Sequence, residues 1–363
     1  MMDTLLAQQV ALTLMPGIGP KRTRDILHTF QHPMEVFRAP MRDFKHLGFF
    51  SSELYKCLHS KELMLNAERI VEKCQKNKIE ITFYTDARFP HRLGQCDDAP
   101  VVLFSKGQAL KSYPFMLGIV GSRSTTPYGI QFVKDFLTAI QQQPVCIVSG
   151  LAYGIDHTAH TQCIERSIPT VGCVAHGLHT IYPAAHRDIA EKMQIQGGVV
   201  SEYPPGIVAD RERFPMRNRI IAGLTDAVII VESAESGGSL ITAQFAQQYN
   251  RDIYALPGRI SDPKSAGCNG LIKRNIAAII QDIPTLLQDL GMKGQMEMNF
   301  SEPSISLTAH RLLELLKEHR SLHVDELLLK SGMESSQFSC ELFELEINGR
   351  IHKLPGCRVA FAR

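Results

Sequence analysis

The chain has 363 residues, 44% of them hydrophobic and 21% charged, which is enough for two or three domains with sizeable cores. A formal net charge of +2 excludes a globally basic nucleic-acid binder, so any such site has to come from local clustering. No stretch approaches the ~20 apolar residues of a membrane helix, and no charged segment followed by an apolar run marks a signal peptide, so a cytoplasmic protein with no membrane partner is expected.

Residues 1–75 read as a helical domain. Leu12-Thr-Leu-Met-Pro-Gly-Ile-Gly-Pro-Lys-Arg-Thr-Arg-Asp-Ile-Leu27 has the form of a helix–hairpin–helix, with Gly17 and Gly19 at its turn. In such motifs the backbone can approach a DNA phosphate without reading sequence. A small bundle that uses the glycines only as a turn fits equally well.

Residues 76–290 change rhythm. Ile79–Tyr84 alternates like a strand, and Val101–Phe104 is a second short run. Apolar strands at 115–120, 145–148, 170–175, 198–203, 227–231 and 252–256 then alternate with helical patterns. Strands this continuously apolar predict a parallel sheet covered by helices on both faces. Ligands of such sheets sit beyond the carboxyl ends of the strands. Gly121-Ser122-Arg123-Ser124, Ser149-Gly150, His176-Gly177 and Ser236-Gly237-Gly238-Ser239 all fall at those ends.

Residues 291–304 read as a linker. From residue 305, three helical patterns and a hairpin make a winged helix. That module holds eight Lys/Arg and eight Asp/Glu, and its third helix carries Glu341, Glu344 and Glu346. A helix that reads duplex DNA should not be this acidic, so protein contact or a structural role is expected instead. The nine cysteines include no C-x-x-C pair, which argues against structural zinc and a disulfide framework. Small buried thiols in a reducing compartment are the simpler reading.

The chemistry concentrates in Arg211-Glu-Arg-Phe-Pro-Met-Arg-Asn-Arg219 and in the strand and glycine turn that follow. Pro215 suits the first turn of a helix. Guanidinium forks match phosphate, and free N–H groups at a helix start do the same through the backbone. Arg213 and Arg217 are spaced to share a face, whereas Arg217 and Arg219 are not. One of the latter is expected to meet ligand and the other to tie to Asp226, Glu232 or a carbonyl. Phe214 either stacks on a base or staples the helix entry to the core. Ser122 and Arg123 offer donors at another helix start. That turn has too few glycines for a dinucleotide fingerprint, so neither NAD nor another cofactor is expected. Asp156 reads as an N-cap before His157 and His160, and no metal cluster is evident. No nucleophile elbow, P-loop or catalytic carboxylate pair appears, so binding rather than catalysis is expected.

These motifs resemble the bacterial DNA-processing protein A family (DprA, also called Smf). The resemblance rests on Ile119-Val-Gly-Ser-Arg123, Val148-Ser-Gly-Leu-Ala-x-Gly-Ile-Asp156, Tyr182-Pro183, Ser201-Glu-Tyr-Pro-Pro205, Phe214-Pro-x-Arg-Asn-Arg-Ile-Ile-Ala-Gly-Leu224, Gly238-Ser-Leu-Ile-Thr-Ala243 and Leu256-Pro-Gly258. It implies an α/β fold: an extended Rossmann-like core between an N-terminal helical, SAM-like domain and a C-terminal winged helix. It implies a homodimer that binds and protects single-stranded DNA and helps load RecA recombinase during natural transformation. By position it implies roles for Arg123, Arg217 and Arg219, with Ser122, Gly150, Asn218 and Ser236 to Ser239 around the pocket. Arg187 stands in for a lysine that the family often has after Tyr-Pro. The turn here is Ser-Gly-Gly-Ser where a shorter Ser-Gly-Ser is common. The alternative is a phosphoribohydrolase-like enzyme acting on a small nucleotide, from which this chain departs by lacking the expected Glu after the glycine turn.

Overall fold

A computed structural model describes residues 2–292, 307–319, 321–347, 350–354 and 356–361. It divides into two units, Met1–Gly294 and Gln295–Arg363. The larger unit is built on nine strands. They are β1 Glu80–Phe83, β2 Val102–Gly107, β3 Phe115–Val120, β4 Val145–Ser149, β5 Thr170–Cys173, β6 Gly198–Ser201, β7 Ala227–Ile230, β8 Asp252–Ala255 and β9 Ala278–Ile279. Their order in the sheet is β1-β2-β6-β5-β4-β3-β7-β8-β9.

From β6 to β9 every neighbouring pair is parallel, whereas β1 with β2 and β2 with β6 are antiparallel. The expectation of a parallel sheet therefore holds for its main body and not for one edge. The order of β3, β4 and β5 runs outward one way and β7, β8 the other, so the chain reverses direction of winding between β3 and β7. In sheets wound this way the reversal opens a crevice at the strand ends.

Side-chain alternation along the strands fixes the layers. Leu117, Ile119, Ile147 and Ile229 pack on one face against Val133, Phe136 and Leu137 of the Pro127–Ala139 helix and Ile155, Ala159 and Cys163 of the Ile155–Glu165 helix. Met116, Val120, Val148, Val228 and Ile230 pack on the other against Ile220 and Ile221 of the Arg213–Leu224 helix and Ala243 and Ala246 of the Ser239–Gln248 helix. A slip of one residue would exchange the two sets, so the register is strongly specified. Each fully buried Leu, Ile or Phe contributes about 1.5–3 kcal/mol.

The N-terminal helices do not form a core of their own. Val10, Leu27 and Val71 belong to the same cluster as Phe83, Val102, Phe104 and Val199 of the sheet edge. The hairpin at Gly17–Gly19 leads into the Pro20–Phe30 helix, both of whose arginines are used internally. Arg22 donates to Gly17 O and lies over Phe49, and Arg24 donates to Cys96 O and lies over Tyr84.

The smaller unit contains helices Leu307–His319, Val324–Ser331 and Ser335–Ile347. Its sheet joins β10 Ser321–His323, β11 Ile351–Leu354 and β12 Arg358–Phe361 in the order β10-β12-β11. This is the winged helix anticipated from its pattern. Most of the expected linker, from residue 293 on, lies outside the described residues, as does Gly349 at the expected start of the hairpin. Among the described residues no helix is long and apolar enough to cross a membrane.

Candidate functional site

The crevice between β3 and β7 is a cleft of about 840 Å³. Gly121, Ser122 and Arg123 line it from the end of β3, Ala152 and Asp156 from beyond β4, and Ser233 and Ala234 from beyond β7. Phe214, Arg217 and Asn218 come from the Arg213–Leu224 helix, and Gly237, Gly238 and Ser239 from the next helix start. Pro215 is the third residue of its helix, within the first turn as its missing N–H requires.

Arg217 is only 5% exposed. Its Nη1 donates to both Gly150 O and Cys173 O, and its Nε donates to Asn218 Oδ1 over 3.2 Å. Asn218 Nδ2 in turn donates to Gly238 O over 3.1 Å, which ties this helix to the glycine turn. A Cβ at position 150 would stand 2.5 Å from Arg217 Nη1 and 2.5 Å from Asp156 Oδ2. Glycine is thus required there by close approach of a buried cation and a buried acid. Burial pushes the Asp156 carboxyl up, against the pull of Arg217 and hydrogen bonds from Ser149 and the Ala152 and Gly150 amides. Burial likewise lowers the Arg217 guanidinium, which Asp156 opposes.

Arg123 is the exposed counterpart. Its guanidinium lies 5.2 Å from the centroid of the Phe214 ring, a cation–π contact that leaves its N–H groups open to the cleft. The Phe214 ring also lies 6.0 Å from that of Tyr182. Phe214 is half-buried within the cleft wall, so it belongs to the lining and not to the core beneath.

The Gly/Ser turn is partly self-satisfied. Leu240 and Ile241 donate back to Gly237 O and Gly238 O. Ser239 Oγ donates to Ser233 Oγ over 2.9 Å. The amides of Gly238 and Ser239 make no backbone hydrogen bond among the described residues. On the β3 side, Ser122 Oγ donates to Ser124 O and accepts from Ser124 N–H, and Lys264 Nζ donates to Ser124 Oγ.

The remaining residues singled out in the sequence lie elsewhere. Arg219 is 2% exposed and gives its guanidinium to Glu202 and to Asp98 O. Of its three expected anchors it meets the carbonyl, at Asp98 O, whereas Asp226 pairs with Arg92 and Glu232 accepts from Thr126 N–H and Oγ1–H. Arg187 lines a separate depression, and Ser236 is exposed outside the cleft lining. Arg213 does not share a site with Arg217, because it donates to Val208 O and lies over Tyr203. Gly154, at φ +80°, caps the Ile155–Glu165 helix in place of Asp156, whose carboxylate accepts from Ala152 N–H. Tyr182 and Asp156 also line the cleft, which the sequence reading does not predict; the available signals are their places in the Tyr182-Pro183 and Val148–Asp156 motifs.

A family model described as DNA recombination-mediator protein A matches residues 80–291, and one for the DprA winged helix domain matches residues 297–357. The chain belongs to the DNA recombination-mediator protein A family. It is 34% identical over 283 residues to Protein Smf of Escherichia coli, covering 76% of this chain and 75% of that one. The crystal structure of DNA processing protein A from Streptococcus pneumoniae matches with a TM-score of 0.63 at 28% identity, over 78% of this chain and 97% of that chain. DNA processing protein A from Helicobacter pylori matches with a TM-score of 0.53 at 26% identity, over 59% of this chain and 97% of that one. It has been described in a single-stranded DNA binding mode. The family accordingly accounts for the matched winged helix as well as for the sheet.

Proposed function

We propose that this recombination mediator binds single-stranded DNA in the cleft between β3 and β7. The observation that carries the reading is Arg123 lying over Phe214 at the rim, with the amides of Gly238 and Ser239, which make no backbone hydrogen bond among the described residues, lining the same cleft. An exposed guanidinium and unbonded amides suit phosphate, and aromatic rings suit bases of any identity. Asp156 is the one carboxylate among the lining residues, and it is buried under Gly150, so little opposes an anion. The Helicobacter pylori relative supports the same choice of ligand.

In this reading, Arg123, Phe214, Gly238 and Ser239 meet the strand. Arg217, Asn218 and Gly150 hold the floor of the cleft, and Ser122 and Ser124 shape the β3 turn. Arg219 braces the helix from behind. The protein works in the cytoplasm as a homodimer and passes the protected strand to RecA recombinase in homologous recombination, natural transformation included. Its modules are the helical 1–75, the core 76–290 and the winged helix 305–363.

Anisotropy titrations with a labelled oligo-dT strand and the matching duplex test the ligand. Preferential, salt-sensitive binding of the single strand is expected. Equal affinity for both forms would remove the basis for the cleft assignment. RecA filament growth on strands coated with a single-strand binding protein tests the hand-over, and an unchanged lag in the presence of this protein would refute it.

A further inference from the structure

A second depression, of about 350 Å³, lies beside the cleft. Tyr182 lines the first and its neighbour Ile181 lines the second, so the two share one wall. The second is basic: Lys78, Lys106, His179 and Arg187 line it, against the single acid Glu191. The side chains of Lys78, Lys106 and Arg187 make no hydrogen bond or ion pair among the described residues. His179 Nδ1 accepts from Gly206 N–H over 3.1 Å, which places the neutral ring's proton on Nε2 as a donor. Lys73 adds to this end, its Nζ within 3.9 Å of where a Cβ on Gly206 would stand.

Lys106 is the most informative of these residues. It is the last residue but one of β2, opposite Val199 of β6 and half-buried, and burial lowers its ammonium pKa with Glu191 opposing. A cation left half-buried without an ion-pair partner is one whose position an anion can improve. We infer that this depression takes phosphates of the same single strand beyond Tyr182, extending its path from the cleft to the junction with the helical segment at Lys78. This rests on the reading of the cleft as a single-strand site.

The test uses the full chain and labelled oligo-dT of about 6 and about 16 nucleotides, lengths at the two ends of common single-strand site sizes. Lys78→Glu, at an exposed position, and Lys106→Gln are compared with wild type and Arg123→Ala. Both lysine variants are expected to weaken the longer strand, together by about tenfold, and to flatten its salt dependence. The shorter strand is expected to change less than about twofold. Arg123→Ala is expected to weaken both lengths. If the lysine variants bind the longer strand like wild type, or weaken both lengths alike, the extended path is wrong while the cleft stands. If wild type binds neither length, both readings fall.

Discussion

The two sides of the Arg213–Leu224 helix treat their arginines differently. Behind the helix, Arg219 is closed in a buried pair with Glu202 and a carbonyl. Toward the cleft, Arg217 meets carbonyls, an amide side chain and the nearby buried Asp156, and the exposed Arg123 rests on the Phe214 ring with no ion-pair partner among the described residues. The behaviour of a cation therefore follows from the carboxylate that folding brings to it, not from its place in a motif. An arginine with a buried acid is a brace, and an arginine with only a ring beneath it is available to a ligand.

The strongest way to break the comparison is Arg219→Met. It leaves Glu202 buried without its partner, and burial already pushes that carboxyl up. A loss of about 3–5 kcal/mol in urea unfolding is expected, with single-strand affinity of the folded fraction unchanged. A loss below about 1 kcal/mol would show that Arg219 is not a brace.

Acid probes the packing under the cleft. His160 is fully buried, donates Nδ1–H to Thr170 Oγ1, whose own proton goes to Ile147 O, and leaves Nε2 without a partner. Burial first, then the nearby His157, His186 and Arg217, lower its pKa from 6.5 to about 3. The unfolded chain therefore takes the proton first. Stability is complete above pH 6.5 and falls as pH drops towards 3. About 3 kcal/mol should be lost by about pH 4 through this residue, and His160→Gln should recover much of that loss in chemical unfolding at the two pH values. Equal acid sensitivity of the variant would assign the loss to other groups.

A smaller effect is expected at the floor. Gly150→Ala places a methyl group against Arg217 and Asp156, both of which must shift. A destabilisation of about 1–3 kcal/mol, read as a lower Tm, is expected. An unchanged Tm would mean that the guanidinium is looser than its hydrogen bonds suggest.

The legibility of these features in the sequence follows the range of the interactions behind them. Strands β3 to β8 are readable because both faces are buried and their residues are continuously apolar. The two-residue β9 carries no such signal, and the antiparallel direction of β1 and β2 depends on partners that periodicity does not name. The cleft is legible as a set of strand ends, because chain order alone places Gly121, Ser122 and Arg123 there, with Gly150 just behind its Arg217 and Asp156. Helical spacing predicts different partners for Arg217 and Arg219, but it does not name them, and it does not predict that both guanidiniums are buried against carbonyls. Gly150 and Cys173, and Asp98 and Glu202, reach them across the fold from distant segments. Local patterns carry no record of such contacts.

The most direct test of the comparison is the salt dependence of oligo-dT binding by wild type and Arg123→Ala, followed by anisotropy over a range of NaCl concentrations. Loss of one phosphate contact should weaken binding and make the slope of log K against log salt shallower by about 0.7. Two superimposable lines would contradict the account, because they would mean that the exposed arginine at the rim meets no phosphate.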